Sequence, residues 1–503
     1  MGGGADDSSA LMSDPAMAEL QARIDKLGFG GFQLLALICT GGVMMSEGAE
    51  MLLMGCMTKM LDKEWGLADF TKGFMVSVVF AGFAVGNLLS GKLGDTYGRR
   101  PTILLSYLIM GTAGLLTATA NCAPVMICLR MMVGVGCGIG FPSIYTLIPE
   151  LCPTKLRGAV CACMIGFMPL GEMYAALGVI AIDKDLTGRT TFGAKWHVTN
   201  ETWRVLCDWG AVPAFIFLAW CLVLLPESPF FLAKQGRHEE ANAVLASMAY
   251  WNGGQTPEGI APVAIPAAAP PPRPVDSSGK GEADKFSWRE AVQRCLSGRY
   301  METTLVMFCA HFTKDFSVFG LSYVFPQYFK ELAFSVEVGW EIFITAMLTL
   351  PGVFIAMGLT RWESFGNIAA LKASAFLAGL LCLGLLEGAP RILHTLCAPT
   401  LKSVAMIYFI IVVTYTAEVF PTSIRNSAVG LCTCAGRAGS ISAPLVFELA
   451  SSFNIFWGVL VTCMWGIVAL ARTFLTMETK GRPLEDGGSA PAGKALKGAG
   501  ACA

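Results

Sequence analysis

The feature that most constrains this chain is a recurrence of apolar stretches, twelve of them, each long enough to cross a lipid bilayer. They fall near residues 32–56, 73–91, 102–121, 124–148, 158–182 and 206–225, and again near 301–325, 336–358, 368–387, 401–417, 427–450 and 453–475. A helix rising about 1.5 Å per residue needs roughly 17–25 residues to traverse a hydrocarbon core of about 30 Å. Inside that core each backbone N–H and C=O has to be satisfied within its own segment, so runs of this length must be helical. The pattern predicts an all-α membrane protein with twelve transmembrane helices in two six-helix halves. Composition points the same way: 15% of residues are charged, against about 25% in soluble domains.

The halves cover residues 32–225 and 301–475, preceded by an N-terminal tail over 1–31, whose first twenty residues read as disordered. Residues 226–300 form a linker opening on Pro226-Glu227-Ser228-Pro229, where the prolines end the sixth helix. Within it, Gln235–Ala249 and Ser287–Leu296 read as short surface helices, and Pro257–Pro274 as a disordered Ala/Pro segment. Residues 476–503 form a Gly/Ala-rich tail. The N-terminus lacks the basic-then-apolar order of a cleavable signal, which leaves the first apolar run as the targeting signal. With the first connection outside, about 22 basic residues fall on one side and about 10 on the other, which puts both termini in the cytoplasm. The outer stretch 183–203 carries Asn200-Glu201-Thr202, a formal glycosylation sequon close to the sixth span.

Between the second and third spans lies Gly91-Lys92-Leu93-Gly94-Asp95-Thr96-Tyr97-Gly98-Arg99-Arg100. Its glycines allow helix ends to approach, and Asp95, Arg99 and Arg100 can pair with neighbouring helix ends. A worn counterpart, Glu363-Ser364-Phe365-Gly366-Asn367, keeps the acid-to-glycine spacing without the arginines. A second repeat closes the fourth and tenth spans: Tyr145-Thr146, Glu150, Pro153 and Arg157, and Tyr415-Thr416, Glu418, Pro421 and Arg425. The equal Glu-to-Arg spacing argues against incidental helix-end charge and assigns these groups to a gate.

Charges at membrane depth are costly and are candidate functional sites. Glu47 and Glu50 share one face of the first helix. Counting from the outer ends places them level with Arg130 in the fourth, as a proton-coupling group. Glu172, Lys314, Asp315 and Arg437 fall nearer the middle. Lys314 and Asp315 can neutralise each other; Arg437 needs an anionic partner, from Glu172, Asp315 or a substrate carboxylate. His311 reads equally well as an interior histidine. Gly134, Gly136, Gly138 and Gly140 indicate close helix packing. Most of the 18 cysteines, Cys161, Cys163, Cys432 and Cys434 among them, read as small apolar residues. No metal-ligand spacing or nucleophile motif is present, so neither a cofactor nor an enzyme activity is expected. The net charge of −1 gives no nucleic-acid footprint.

The Gly91–Arg100 stretch resembles the signature loop of the major facilitator superfamily. Gly28-Phe29-Gly30-Gly31-Phe32-Gln33, with Glu47-Gly48-Ala49-Glu50, resembles the first-helix entry of synaptic-vesicle-2-related transporters, although Glu47 stands where that group has aspartate. Tyr415–Thr422 and Arg437-Ala438-Gly439 with Pro444 are similar to the same group. Pro226–Pro229, Gly236-Arg237 and Glu478–Arg482 are similar to segments shared with sugar porters and organic-ion transporters. In organic-ion transporters an arginine at the position of Arg437 accompanies anionic substrates. Sugar porters carry paired glutamines in the seventh helix, where this chain has Cys309–Phe316.

The combined reading is a secondary active transporter that works by alternating access. Its substrate is a small organic anion or carboxylate held by Arg437, Lys314, Asp315 and Glu172. Glu47, Glu50 and Arg130 couple protons. Asp95, Gly98, Arg99, Arg100, Glu150, Arg157, Glu363, Glu418 and Arg425 form the inner gate. A monomer in a plasma or vesicle membrane is expected. A sugar or organic-cation carrier stands as the alternative, and a sensor or scaffold without flux as the second class.

Overall fold

The computed structural model describes residues 15–186, 202–253, 293, 295–296, 300–332, 337–361, 366–385, 390–420 and 425–450. Every regular element among them is helical: α1 Pro15–Leu27, α2 Gly31–Trp65, α3 Asp69–Tyr97, α4 Arg99–Thr117, α5 Ala123–Leu151, α6 Arg157–Ile165, α7 Phe167–Asp183, α8 Thr202–Leu224, α9 Pro229–Lys234, α10 His238–Gly253, α11 Met301–Leu332, α12 Val338–Arg361, α13 Asn367–Leu383, α14 Arg391–Val419 and α15 Arg425–Ala450, with one 3-10 turn at Thr154–Leu156. Helices α2 to α8 supply the first six spans, α6 and α7 making the fifth together. Helices α11 to α15 supply the seventh to eleventh, and the twelfth apolar stretch, 453–475, lies outside the described residues. Seven of these spans are long and apolar enough to cross a membrane on those grounds alone. Val223, Phe376 and Phe354 face outward, as side chains facing lipid would.

Three boundaries differ from the sequence reading, each for a physical reason. Residues 15–27 are helical, against the expectation of disorder to residue 20, because Met17, Leu20 and Ile24 form a buried stripe at helical spacing. The Gly91–Arg100 stretch is helix to Tyr97 and helix again from Arg99, broken only at Gly98, whose φ of +106° disfavours other residues. The tenth span begins at Arg391 rather than 401, with Pro399 inside it.

Within the first half, α5 packs against α3 and α4, α7 against α2, and α8 against α2 and α4. Glycines set the α5 contacts. A Cβ at Gly134 or Gly138 would strike α3 backbone at Val79 or Phe83, and one at Gly136 or Gly140 would strike Met110 or Ser106 of α4. In the second half α11 packs on α15 and α14, and α14 on α12 and α13. The halves meet along α3 with α15, α7 with α12, and α2 with α11. We call the end carrying Gly98 the motif end and the end carrying the α2–α3 turn the far end.

Candidate functional site: the interface between the two halves

At the motif end, Glu227 organises the junction of α3 and α4. Its carboxylate accepts from the backbone N–H of Arg99 at 3.0 Å and of Arg100 at 3.2 Å, capping the start of α4. Gly98 is pressed against the same carboxylate. Arg99 lies over the Phe231 ring at 5.1 Å, donates to the Gly94 carbonyl, and pairs with Asp95 at 3.7 Å and Glu150 at 3.5 Å. Arg100 donates to the Leu222 carbonyl at 2.7 Å. Arg157 donates to the Pro149 carbonyl at 2.8 Å and to Gln21 of α1. Glu150 therefore has Arg99 as its ion-pair partner, while Arg157 holds the helix end and α1. Glu363 and Asn200 lie outside the described residues, as do the side chains of Glu418 and Arg425.

Two surface helices brace this end. Asp25 of α1 accepts from the Thr154 N–H at 2.7 Å. Burial pushes its carboxyl upward, but the bonds from Thr154 and Gln21 and the nearby Arg157 outweigh it and hold Asp25 below the ordinary range. Asn252 at the end of α10 accepts from the Phe32 N–H at 3.1 Å and donates to Gln33 at 2.8 Å. Gly30 stands where any side chain would meet Asn252, which accounts for Gly30 and, with the Asn252 bond, for Gln33 in Gly28–Gln33.

Deeper in the molecule, Arg130 contacts the Glu50 carboxylate, and its other terminal nitrogen is 3.7 Å from the Cys207 sulfur. Both charged side chains are buried. They meet although Glu50 lies fifteen residues before the end of α2 at Trp65 and Arg130 seven after the start of α5. The unequal counts arise because α2 continues past the lipid-spanning run that ends near residue 56, its end capped by the left-handed Gly66. There Glu64 accepts from the Trp203 indole at 2.6 Å, and Trp65 packs edge-on against the same ring. Glu47 is buried, and its Oε2 makes no hydrogen bond among the described residues.

Arg437 is 7% exposed at mid-length of α15. Its guanidinium sits 3.7 Å from the Phe83 ring centroid, 5.5 Å from Phe141 and 5.7 Å from Phe319, which puts it between the halves against aromatic faces of both. Its Nε and Nη1 make no hydrogen bond among the described residues. Lys314 and Asp315 contact each other, and Lys314 also lies 4.2 Å from the Phe409 centroid. Asp315 packs against Gly436 without reaching salt-bridge distance of Arg437. His311 is 2.8 Å from the Thr416 hydroxyl.

Glu172 does not turn toward Arg437. Its Oε2 is 2.7 Å from Lys402 Nζ and its Oε1 2.7 Å from the Ser322 hydroxyl, both in the second half. Sequence reasoning missed Lys402 because starting the tenth helix at 401 put the lysine at the membrane surface. It also missed Glu448, which is buried near the end of α15. Glu448 contacts the Tyr323 hydroxyl, accepts from Gln327 at 3.2 Å, and pairs with Lys72 of the first half at 3.5 Å. Lys72 also pairs with Asp69 at 2.7 Å. Nearby, Ser77 donates to the Ile441 carbonyl at 2.6 Å, and Lys184 contacts Glu337. These polar inter-half contacts run from mid-depth to the far end, whereas the motif-end contacts above tie parts of the first half to one another.

A family model described as "Sugar (and other) transporter" matches residues 42–488. The chain belongs to that family, within the major facilitator superfamily. The synaptic vesicle 2-related protein of Xenopus laevis is 27% identical over 95% of this chain and 84% of its own length. The niacin transporter NiaP of Acinetobacter baylyi is 25% identical over 93% of this chain and 99% of its own. Among solved structures, the xylose transporter XylE of E. coli in an inward open conformation superposes with a TM-score of 0.69, at 18% identity, over 90% of this chain and 98% of that one. Another structure of XylE is described as a proton:xylose symporter of the major facilitator superfamily, with a TM-score of 0.62 at 18% identity over 90% and 97%. This membrane transporter therefore has the two-half fold expected from its apolar pattern, and it is not an enzyme.

Proposed function

We propose that this transporter carries a small organic anion, a carboxylate above all, and couples its movement to protons. The observation that carries this reading is Arg437, a permanent cation buried between the halves and held by phenyl faces, whose Nε and Nη1 make no hydrogen bond among the described residues. A fixed fork of donors at mid-membrane matches a planar carboxylate and leaves a neutral sugar without a counter-charge. The relative named for niacin, a pyridinecarboxylate, supports the class. The test is a thermal-stability screen of the purified protein against carboxylates, organic cations, sugars and phosphate, repeated on Arg437→Ala. A bound solute raises the melting temperature. A carboxylate hit that the variant loses is the expected result; a sugar or cation hit that the variant keeps would make Arg437 structural.

Proton coupling rests on Glu50 and Arg130, with Glu47 one turn away. Protonating Glu50 would remove the partner of Arg130, a change large enough to shift a conformational equilibrium. Glu50→Gln should abolish uptake driven by a pH gradient while leaving solute binding within about threefold, a difference well under 1 kcal/mol. Gradient-driven uptake that survives the substitution would remove Glu50 from the coupling. The far end, closed by inter-half contacts, is read as the outer side and the motif end as cytoplasmic. The relatives named for synaptic vesicles favour a vesicle membrane.

A further inference from the structure

The pairing of Glu172 with Lys402 has no place in the anion site or in the proton pair, and its position gives it a separate task. Glu172 lies eleven residues from the end of α7 at Asp183, Ser322 ten from the end of α11 at Leu332, and Lys402 eleven from the start of α14 at Arg391. Those three helix ends all belong to the far end, so the three side chains share one depth, about 15–17 Å inside it. One comes from the first half and two from the second. Lys402 and Glu172 are 3% and 1% exposed and 2.7 Å apart. Removing one member of such a pair strands the other as a bare charge, which is far more costly than losing an exposed salt bridge.

Among the hydrogen bonds and ion pairs between the halves this pair is the innermost of a series, with the Arg437 cage deeper still. Above it toward the far end come the contact of Gly55 with the Tyr323 backbone, the Ser77–Ile441 bond, and the Lys72–Glu448 and Lys184–Glu337 pairs. Lys184 and Glu337 are each 40% exposed and Lys72 is shared among three carboxylates, so each of those ties can trade its partner for water or a neighbour. Lys402 is buried, and among the described residues Glu172 is the one carboxylate it pairs with.

We propose that Lys402 is the positioning residue that holds the two halves together at mid-depth by gripping Glu172, and that breaking this pair is a required step when the far end opens. The pair sets the resting preference for a closed far end, independently of what the transporter carries and of whether Arg437 binds it.

Hydrogen–deuterium exchange on the purified full chain tests this, read by mass spectrometry on peptides from both ends. In Lys402→Met and in Glu172→Gln, amides over 69–80 and 438–448 at the far end should exchange about tenfold faster, while those over 94–104 at the motif end keep the wild-type rate. The double variant Glu172→Lys with Lys402→Glu reverses the pair and should return the far end toward wild type. Unchanged far-end exchange in the single variants would overturn the proposal. So would acceleration at both ends alike, which is general destabilisation, or a reversed pair no slower than the single variants. Because no ligand enters the measurement, failure here leaves the anion reading standing, and failure of the anion screen leaves this result intact.

Discussion

Single side chains in this molecule are placed by what they neutralise. Glu50 and Arg130 meet inside the first half, and both residues stand out in the sequence because charge within an apolar run is rare. Arg437 stands out for the same reason, but its phenyl cage draws on three helices and no local spacing announces it. Lys402 was illegible because a proline and two polar residues, Pro399, Thr400 and Lys402, weaken the apolar signal where the tenth helix is already three turns old. Asp25 yields a prediction at this scale. Its carboxyl is held below the ordinary range, so its grip on Thr154 is full above the unfolded value of about 3.9 and is lost as pH falls through the lower folded value. Asp25→Asn should weaken α1 docking at neutral pH, and trypsin should cut at Lys26 several-fold faster. Cleavage at the wild-type rate would mean that the apolar stripe of Met17, Leu20 and Ile24 holds α1 without it.

Among elements, the join between α3 and α4 shows how a sequence motif becomes a mechanical part. The glycine, acid and arginines were readable as a group, whereas their partner Glu227, some 130 residues on, was visible only as part of a proline-flanked helix stop. Gly98→Ala sets a side chain at φ +106° and against the Glu227 carboxylate at once. It should destabilise the folded protein by about 1–3 kcal/mol, seen as a lower melting temperature and lower yield. Glu227→Gln keeps an acceptor for the α4 N–H groups and should be milder, about 1 kcal/mol or less. Burial raises the Glu227 carboxyl above its usual range, against the pull of the Ser228, Arg100 and Arg99 N–H groups and of the Arg99 charge. Its ionisation therefore costs stability as pH rises from the unfolded carboxyl value of about 4.3 through the raised folded value, and the glutamine variant should lose that acid-side pH dependence. Helix existence was legible from apolar length alone; helix ends were not, because α2 and α14 extend through polar sequence that tertiary contacts hold helical.

For the whole molecule, the apolar count gave two halves, and the pairing of α3 with α15, α7 with α12 and α2 with α11 is what three dimensions added. If transport requires those pairs to part at the far end, linking them should stop it. Ser77→Cys with Ile441→Cys, oxidised to a disulfide, should abolish uptake, and reduction should restore it. Uptake that continues while the link is formed would show that the far end need not open. The contrast between the two buried ion pairs also bears on how the chain is made. Glu50 and Arg130 lie in the first five spans, so a ribosome that has delivered those spans has already delivered both members of the pair. Glu172 emerges with the fifth span, but Lys402 follows some 230 residues later in the tenth. Throughout that interval the nascent chain carries a lone carboxylate at membrane depth, which must stay protonated, face water or rest against the insertion machinery. The first half can thus settle the Glu50–Arg130 pair before translation ends, while Glu172 waits for its partner.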